Sequence, residues 1–139
     1  GKREGHGAYK CGGTEQYEGQ WQDDKQHGEG AQTWTDGQSY NGQFTGGRFS
    51  GRGKMVWQTD KGPMVYEGEY QDDVKHGAGK FVWPDGHSYD GEWLRGKRHG
   101  RGAYNKVRGE RKIGHWVDDR FVRWEAAQAE EDQVNVLLK

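Results

Sequence analysis

Three histidines hold matching places in the chain, each directly before a glycine: His27 before Gly28, His76 before Gly77 and His99 before Gly100. Imidazole is the commonest metal ligand and the side chain best suited to proton transfer near neutral pH, so these residues are the first candidates for chemistry. Their placement argues for structure instead. They sit in equivalent positions of successive copies of a repeated unit, so even His76 and His99 should stand two strands apart, whereas nitrogen ligands approach a metal ion to about 2 Å. His6 and Cys11 make only a weak metal pair. The stretch Gly46-Gly47-Arg48-Phe49-Ser50-Gly51-Arg52-Gly53-Lys54 looks superficially like a phosphate-binding loop. The required spacing would put glycine at Arg48, however, and Met55 stands where Ser or Thr should hold magnesium. No nucleophile, base and orienting partner can be assembled, and the acids recur on one polar face. The expectation is a non-enzyme with no cofactor and no metal site.

The elements that carry these residues are set by a period. Tyr17-Glu18-Gly19-Gln20-Trp21 recurs as Tyr40-Asn41-Gly42-Gln43-Phe44, Tyr66-Glu67-Gly68-Glu69-Tyr70 and Tyr89-Asp90-Gly91-Glu92-Trp93. A Gly-x-Gly pair travels in phase: Gly5/Gly7, Gly28/Gly30, Gly51/Gly53, Gly77/Gly79 and Gly100/Gly102. A fixed period of this length marks a repeat array. The chain starts inside a unit, since residues 1–7 match residues 96–102, which reads as a fragment of a longer array.

Composition agrees. Only 29% of the 139 residues are hydrophobic and 31% are charged, too polar for a thick core, since compact domains carry roughly 45–50% apolar residues. Disorder is countered by seven Trp, seven Tyr and four Phe at regular spacing, because disordered chains are poor in aromatics. A net charge of −1 supplies no global field for nucleic acid or membrane. The single cysteine, Cys11, fits a reducing compartment, and no apolar run approaches the length of a membrane span. A cytoplasmic location follows as the expectation.

Each unit reads as a β-hairpin. In Tyr89-Asp90-Gly91-Glu92-Trp93 the rings and the glycine share one strand face and the acids take the other. Gly77-Ala78-Gly79-Lys80-Phe81-Val82-Trp83 alternates in the same way, and Asp36-Gly37, Asp72-Asp73 and Pro84-Asp85-Gly86 supply turns. Helix is a poor reading, since each interior glycine costs about 1 kcal/mol there. A strand glycine leaves room for a neighbouring ring to lie flat on backbone, so rings are buried without a second layer. One hairpin is marginal alone, and stacking supplies the stability. The fold class is therefore all-β: an elongated, twisted single-layer antiparallel array of hairpins.

These motifs, Tyr-Glu-Gly-x-Trp, then Lys-x-His-Gly-x-Gly, then Asp-Gly-x-x-Tyr, resemble the MORN repeat (membrane occupation and recognition nexus) over residues 1 to about 116. On this reading residues 1–118 form the array, with a half repeat at 1–16, repeats starting at 17, 40, 66 and 89, and a degenerate terminal unit from 112. Residues 119–139 form a partly helical tail that looks like a chain end. The third unit departs from the pattern, with Ser50 in place of histidine and three extra residues within Thr59–Val65, from which a longer contact loop is expected.

Three surfaces are candidates for binding. Trp34, Trp57, Phe81, Trp83 and Tyr104 lie on the aromatic face and either pack on neighbouring glycines and tyrosines or line a groove for a partner peptide. Arg95, Lys97, Arg98, Arg101, Lys106, Arg108, Arg111 and Lys112 form a basic stretch that would attract anionic lipid, weakened because alternation sends the side chains to different edges. Trp116, Phe121 and Trp124 with Val134 and Leu138 of the tail are candidates for self-association, the tail being either a cap on the last strand or part of a contact with a second copy. The resemblance implies a non-catalytic scaffold, a homodimer by self-association, that organises membrane-apposed cytoskeletal structures through protein partners; the charge balance adds the expectation of weak or no direct lipid binding and no nucleic acid. The resemblance also implies two alternatives: a monomeric adaptor whose groove holds a helical peptide such as a myosin tail, and a phosphoinositide-binding targeting module of a larger enzyme.

Overall fold

The computed structural model describes residues 2–11 and 15–125, with the side chains of Lys10 and Cys11 outside that set. Eleven strands follow one another: β1 Gly5–Cys11, β2 Glu15–Gln22, β3 Lys25–Thr33, β4 Ser39–Thr45, β5 Arg48–Thr59, β6 Gly62–Gln71, β7 Val74–Val82, β8 Ser88–Leu94, β9 Lys97–Asn105, β10 Arg111–Val117 and β11 Arg120–Trp124. They form one open sheet in sequence order, and every neighbouring pair is antiparallel. At about 4.8 Å between strands the array is roughly 50 Å long. No helix occurs among the described residues. The short helix expected after Glu125 lies outside them, and the sheet itself runs on past Val117 through β11.

The core is a surface, not a volume. Gly7, Gly19, Gly30, Gly42, Gly53, Gly68, Gly79, Gly91, Gly102 and Gly114 stand opposite one another in a single row across β1 to β10. Tyrosine rings lie across this row. A Cβ added at Gly30, Gly53 or Gly102 would sit 2.4 Å from the Cε2 of Tyr17, Tyr40 or Tyr89 respectively, and one at Gly79 would sit 2.5 Å from that of Tyr66. Each hydroxyl donates to the carbonyl three residues on: Tyr17 to Gln20 at 2.7 Å, Tyr40 to Gln43 at 2.8 Å, Tyr66 to Glu69 at 2.7 Å and Tyr89 to Glu92 at 2.9 Å. Tyr40, Tyr66 and Tyr89 are fully buried although the described residues form no second layer over the sheet.

Between the tyrosines stand the aromatics of the same strands. Trp21, Tyr17, Phe44, Tyr40, Tyr70, Tyr66, Trp93, Tyr89 and Trp116 meet in that order, edge to face, with centroids 4.9–5.5 Å apart and planes at 80–90°. Each such pair contributes about 0.5–1.5 kcal/mol beyond its burial. The zigzag joins every unit to the next.

The register requires a bulge in each first strand, between Gly19 and Trp21, Gly42 and Phe44, Gly68 and Tyr70, and Gly91 and Trp93. The side chain of the extra residue is put to use. Gln20, Gln43, Glu69 and Glu92 accept from the backbone N–H of Glu29, Arg52, Ala78 and Arg101 at 2.7, 2.8, 2.7 and 3.3 Å. All four are exposed, as a polar face requires. They are backbone acceptors, which is why Gln and Glu interchange there.

The two long edges are built differently. On one, two-residue turns Asp23-Asp24, Gly46-Gly47, Asp72-Asp73, Arg95-Gly96 and Asp118-Asp119 all have positive φ, the geometry that matches strand twist. The second residue of each donates its N–H one unit back, to the carbonyls of Arg3, Gln26, Phe49, Lys75 and Arg98 at 2.9–3.0 Å. Asp24, Asp73 and Asp119 also accept the backbone N–H of Arg3, Phe49 and Arg98 at 3.3, 2.9 and 2.8 Å. On the other edge, five-residue loops are closed by Trp34 to Gln38, Trp83 to His87 and Lys106 to Glu110. The three extra residues of the third unit make no longer loop. They lengthen β5 and β6, which pair Val56 with Val65 and Trp57 with Met64 up to a tight turn at Asp60-Lys61. Apolar cross-strand pairs favour extending the ladder over leaving the chain in solvent.

Two mutational outcomes follow from the packing. Gly102→Val, whose Cβ would meet Tyr89 Cε2 at 2.4 Å, is expected to lose about 1–3 kcal/mol, and an unchanged calorimetric melting temperature would refute the ring-on-glycine account. Tyr70 differs from its neighbours because its hydroxyl is buried without a partner among the described residues. Tyr70→Phe is therefore expected to hold or raise stability, whereas Tyr89→Phe costs about 1 kcal/mol. Equal losses in denaturant titrations of the two variants would contradict this.

Candidate functional site

The aromatic face carries a second tier supplied by one residue per unit, the second residue of each returning strand or its counterpart. The Arg3 guanidinium lies 4.3 Å over Tyr9 and 4.4 Å over Trp21. Phe49 stacks on Tyr40 at 4.1 Å. Lys75 Nζ stands 5.3–5.7 Å from four rings, those of Trp57, Tyr66, Phe81 and Trp93, and its burial there lowers its pKa. Arg98 lies 5.9 Å over Tyr89. Cations over ring faces are attracted by the aromatic quadrupole, so a chain with few aliphatics closes its middle with charged side chains.

Four of the five aromatics expected to meet a partner come together. Trp57 meets Phe81 at 5.8 Å and Phe81 meets Trp83 at 4.7 Å. Trp83 stacks on His87 at 4.3 Å with planes 8° apart, and His87 reaches Tyr104 at 5.5 Å. Trp34 stands apart against Phe49 at 6.1 Å. All five are half-buried and pack on the core, so they support the sheet and present ring surface at once. His87 was not singled out in the sequence. Its signal is the Asp-Gly-x-x-Tyr loop, where Asp85 accepts its backbone N–H at 3.0 Å and holds Nδ1.

At the C-terminal end the pattern changes. Lys112-Ile113-Gly114-His115-Trp116 puts lysine where the other units carry tyrosine, and Trp124 pairs with Gly114 where a glycine would complete the row. The two changes compensate. The Trp124 ring lies back over Gly114, whose added Cβ would meet Cε3 at 2.9 Å, and Lys112 Nζ stands 5.5 Å over that ring. Trp116 is buried, while Phe121 and Trp124 are 49% and 39% exposed. Val134 and Leu138 lie outside the described residues. Beside Lys112 a cleft of about 280 Å³ opens among Tyr104, Trp116, Phe121 and Trp124, with Arg98, Lys106, Glu110 and Lys112 completing it.

The basic stretch converges only in part: Arg98, Lys106 and Lys112 line the terminal cleft, and the rest is spread out. Arg95 sits in the β8–β9 turn and Lys106 and Arg108 in the β9–β10 loop, at opposite ends of a nine-residue strand and so roughly 25 Å apart. Arg98 pairs with Asp119 at 3.1 Å, Arg101 with Glu125 at 2.5 Å and Lys106 with Glu110 at 3.4 Å. Arg111 donates to Asn105 at 3.2 Å. Lys97 and Arg108 are exposed. The histidines that precede the glycines stay in separate units, and among the described residues no three His, Cys, Asp or Glu side chains converge on a cation position. No helix among them is long and apolar enough to cross a membrane.

Burial dominates the titration of the face. It pushes the Tyr89 phenol up to about 12 and raises Tyr40, Tyr66 and Tyr70 above the ordinary value of 10.0. The folded state thus holds these protons more tightly than the unfolded chain does. Stability from this source is complete below pH 10 and is lost as pH rises toward 12. Denaturation midpoints are expected to stay level up to about pH 10 and then fall together with the near-ultraviolet dichroism. Phenolate absorbance from all seven tyrosines near pH 10 with the fold intact would overturn the burial account.

Comparison with curated proteins finds no significant match. The family model described as the MORN repeat matches residues 17–39, 40–60, 66–88 and 89–110. Each matched stretch begins at a tyrosine whose ring covers the glycine row, and together they span more than half of the 139 residues: the chain belongs to the MORN-repeat family.

Proposed function

We propose that this chain is a non-catalytic scaffold that self-associates through its C-terminal end and gathers protein partners at cytoskeletal or membrane-apposed structures in the cytoplasm. Membership of a non-catalytic repeat family supports the absence of chemistry, and the single cysteine fits a reducing compartment. The observation that carries self-association is β11. Among the described residues it pairs only with β10, all five of its residues are exposed, and Val117, Phe121, Val122 and Trp124 rank among the exposed large hydrophobics. An uncovered apolar edge strand is a template for a second chain, and pairing two copies of one edge closes an isologous dimer.

A second reading is the monomeric adaptor. The ring series from Trp57 to Tyr104 favours it, because rings that are half-buried in the free protein can complete their burial against a peptide. Direct anchoring on anionic lipid draws little support, since the basic side chains are divided between two edges and several are matched by carboxylates. Nucleic-acid binding lacks a basic footprint.

Light scattering behind size exclusion decides between the first two readings. The native chain is expected to elute as a dimer and Val122→Lys as a monomer with unchanged melting, since Val122 is 54% exposed and lysine blunts edge pairing. A dimer that persists in Val122→Lys would move the contact away from β11. A native chain that stays monomeric at high concentration would leave the adaptor.

A further inference from the structure

The terminal cleft is chemically unlike the rest of the face. In the four complete units a tyrosine ring lies over the next strand's glycine; in the last, Lys112 replaces the tyrosine and Trp124 the glycine, and the zigzag of edge-to-face rings passes from Tyr89 to Trp116 at 5.0 Å and on to Trp124 at 6.1 Å. What remains beside Lys112 is a cleft of about 280 Å³ with Tyr104, Trp116, Phe121 and Trp124 as walls. Three cations stand at it, Arg98, Lys106 and Lys112, against one carboxylate, Glu110. Arg98 is satisfied by Asp119 and Lys106 by Glu110, while Lys112 makes no ion pair within 4.0 Å among the described residues and rests over Trp124.

We propose that this cleft docks an apolar or aromatic side chain of a partner protein, carried on a peptide segment with carboxylates on either side. It rests on the reading of the array as a protein-interaction module, and uses the face of the terminal unit and not the outer edge of β11. Ring walls alone would also suit a cationic ligand such as a methylated ammonium. Lys112, the one lining cation with no ion pair within 4.0 Å among the described residues, opposes that choice by repulsion and favours acidic neighbours, which suppress wrong partners as well as attract right ones. A ring inserted here would extend the series of aromatic contacts by one member and occupy apolar surface that the described residues leave uncovered. A carboxylate one or two residues away would meet Lys112, replacing a weak cation–ring contact by a charge-assisted one.

The test is fluorescence anisotropy of the full chain with a labelled acidic hexapeptide bearing one central tyrosine. Two control peptides replace the tyrosine by serine or the acids by lysines. The acidic tyrosine peptide is expected to bind saturably and both controls to fail. Lys112→Glu is expected to weaken binding about tenfold or more, while Arg95→Glu, on the far edge, leaves it unchanged. Val122→Lys should abolish any dimer and spare the peptide, so failure of the edge-pairing model and failure of the cleft are read separately. Equal binding of the lysine peptide, or affinity indifferent to Lys112→Glu, overturns the proposal. Binding that appears only after residues 126–139 are deleted also overturns it, because the cleft would then belong to the chain's own tail.

Discussion

Everything in this molecule depends on a tyrosine ring lying flat on the glycine of the next strand. The contact needs three things at once: no Cβ beneath the ring, a register that sets glycine opposite glycine, and a carbonyl three residues on to take the hydroxyl. The ten-glycine row supplies the first two and the bulge after each Tyr-x-Gly supplies the third. A ring buried against backbone needs no opposing layer, so one sheet of a very polar chain can still possess a core. The rings then meet their neighbours edge to face, and what began as a local contact becomes the cohesion between units.

The same constraint explains how much was legible in the sequence. Period, face and ring–glycine pairing follow from residue spacing alone, because alternation in a strand leaves the tyrosine and the glycines no other side. Glu69 and Glu92 lie on the solvent face as alternation requires, but their second role is hidden: only the bulge, which is invisible in a pattern of period two, turns their carboxylates onto Ala78 and Arg101 N–H. The insertion after Thr59 was expected to loop out because length alone was counted. Val56, Trp57, Met64 and Val65 have better partners in each other than in water. Asp73 is legible as a turn former, but the reach of Asp24, Asp73 and Asp119 one unit back as acceptors is not, since it spans more than twenty residues of sequence.

At the candidate surfaces legibility was poorest. The five aromatics pack against one core cluster, yet the grouping of four of them depends on His87, which bridges Trp83 to Tyr104 and carries no mark in the sequence beyond its turn. Alternation already divides the basic stretch, and the length of β9 divides it further. A strand carries its two ends to opposite edges, so contiguity becomes separation. At the terminus, the exchange of tyrosine for Lys112 and of glycine for Trp124 is visible only when β10 and β11 are paired, since each change alone reads as decay of the repeat.

The clamps along the turn edge bear on how such a ribbon carries load. When the two ends are pulled apart along the array, strands lie across the direction of pull and each seam between units transmits the whole tension, as links do in a chain. Strength is then set by the weakest seam, not by the sum. Seams bearing Asp24, Asp73 and Asp119 hold a main-chain bond and a carboxylate bond at the turn, while those at Gly47 and Gly96 hold the main-chain bond alone. The ribbon is thus graded along its length, with two built-in yield points where it would part first and leave shorter, still folded blocks on either side.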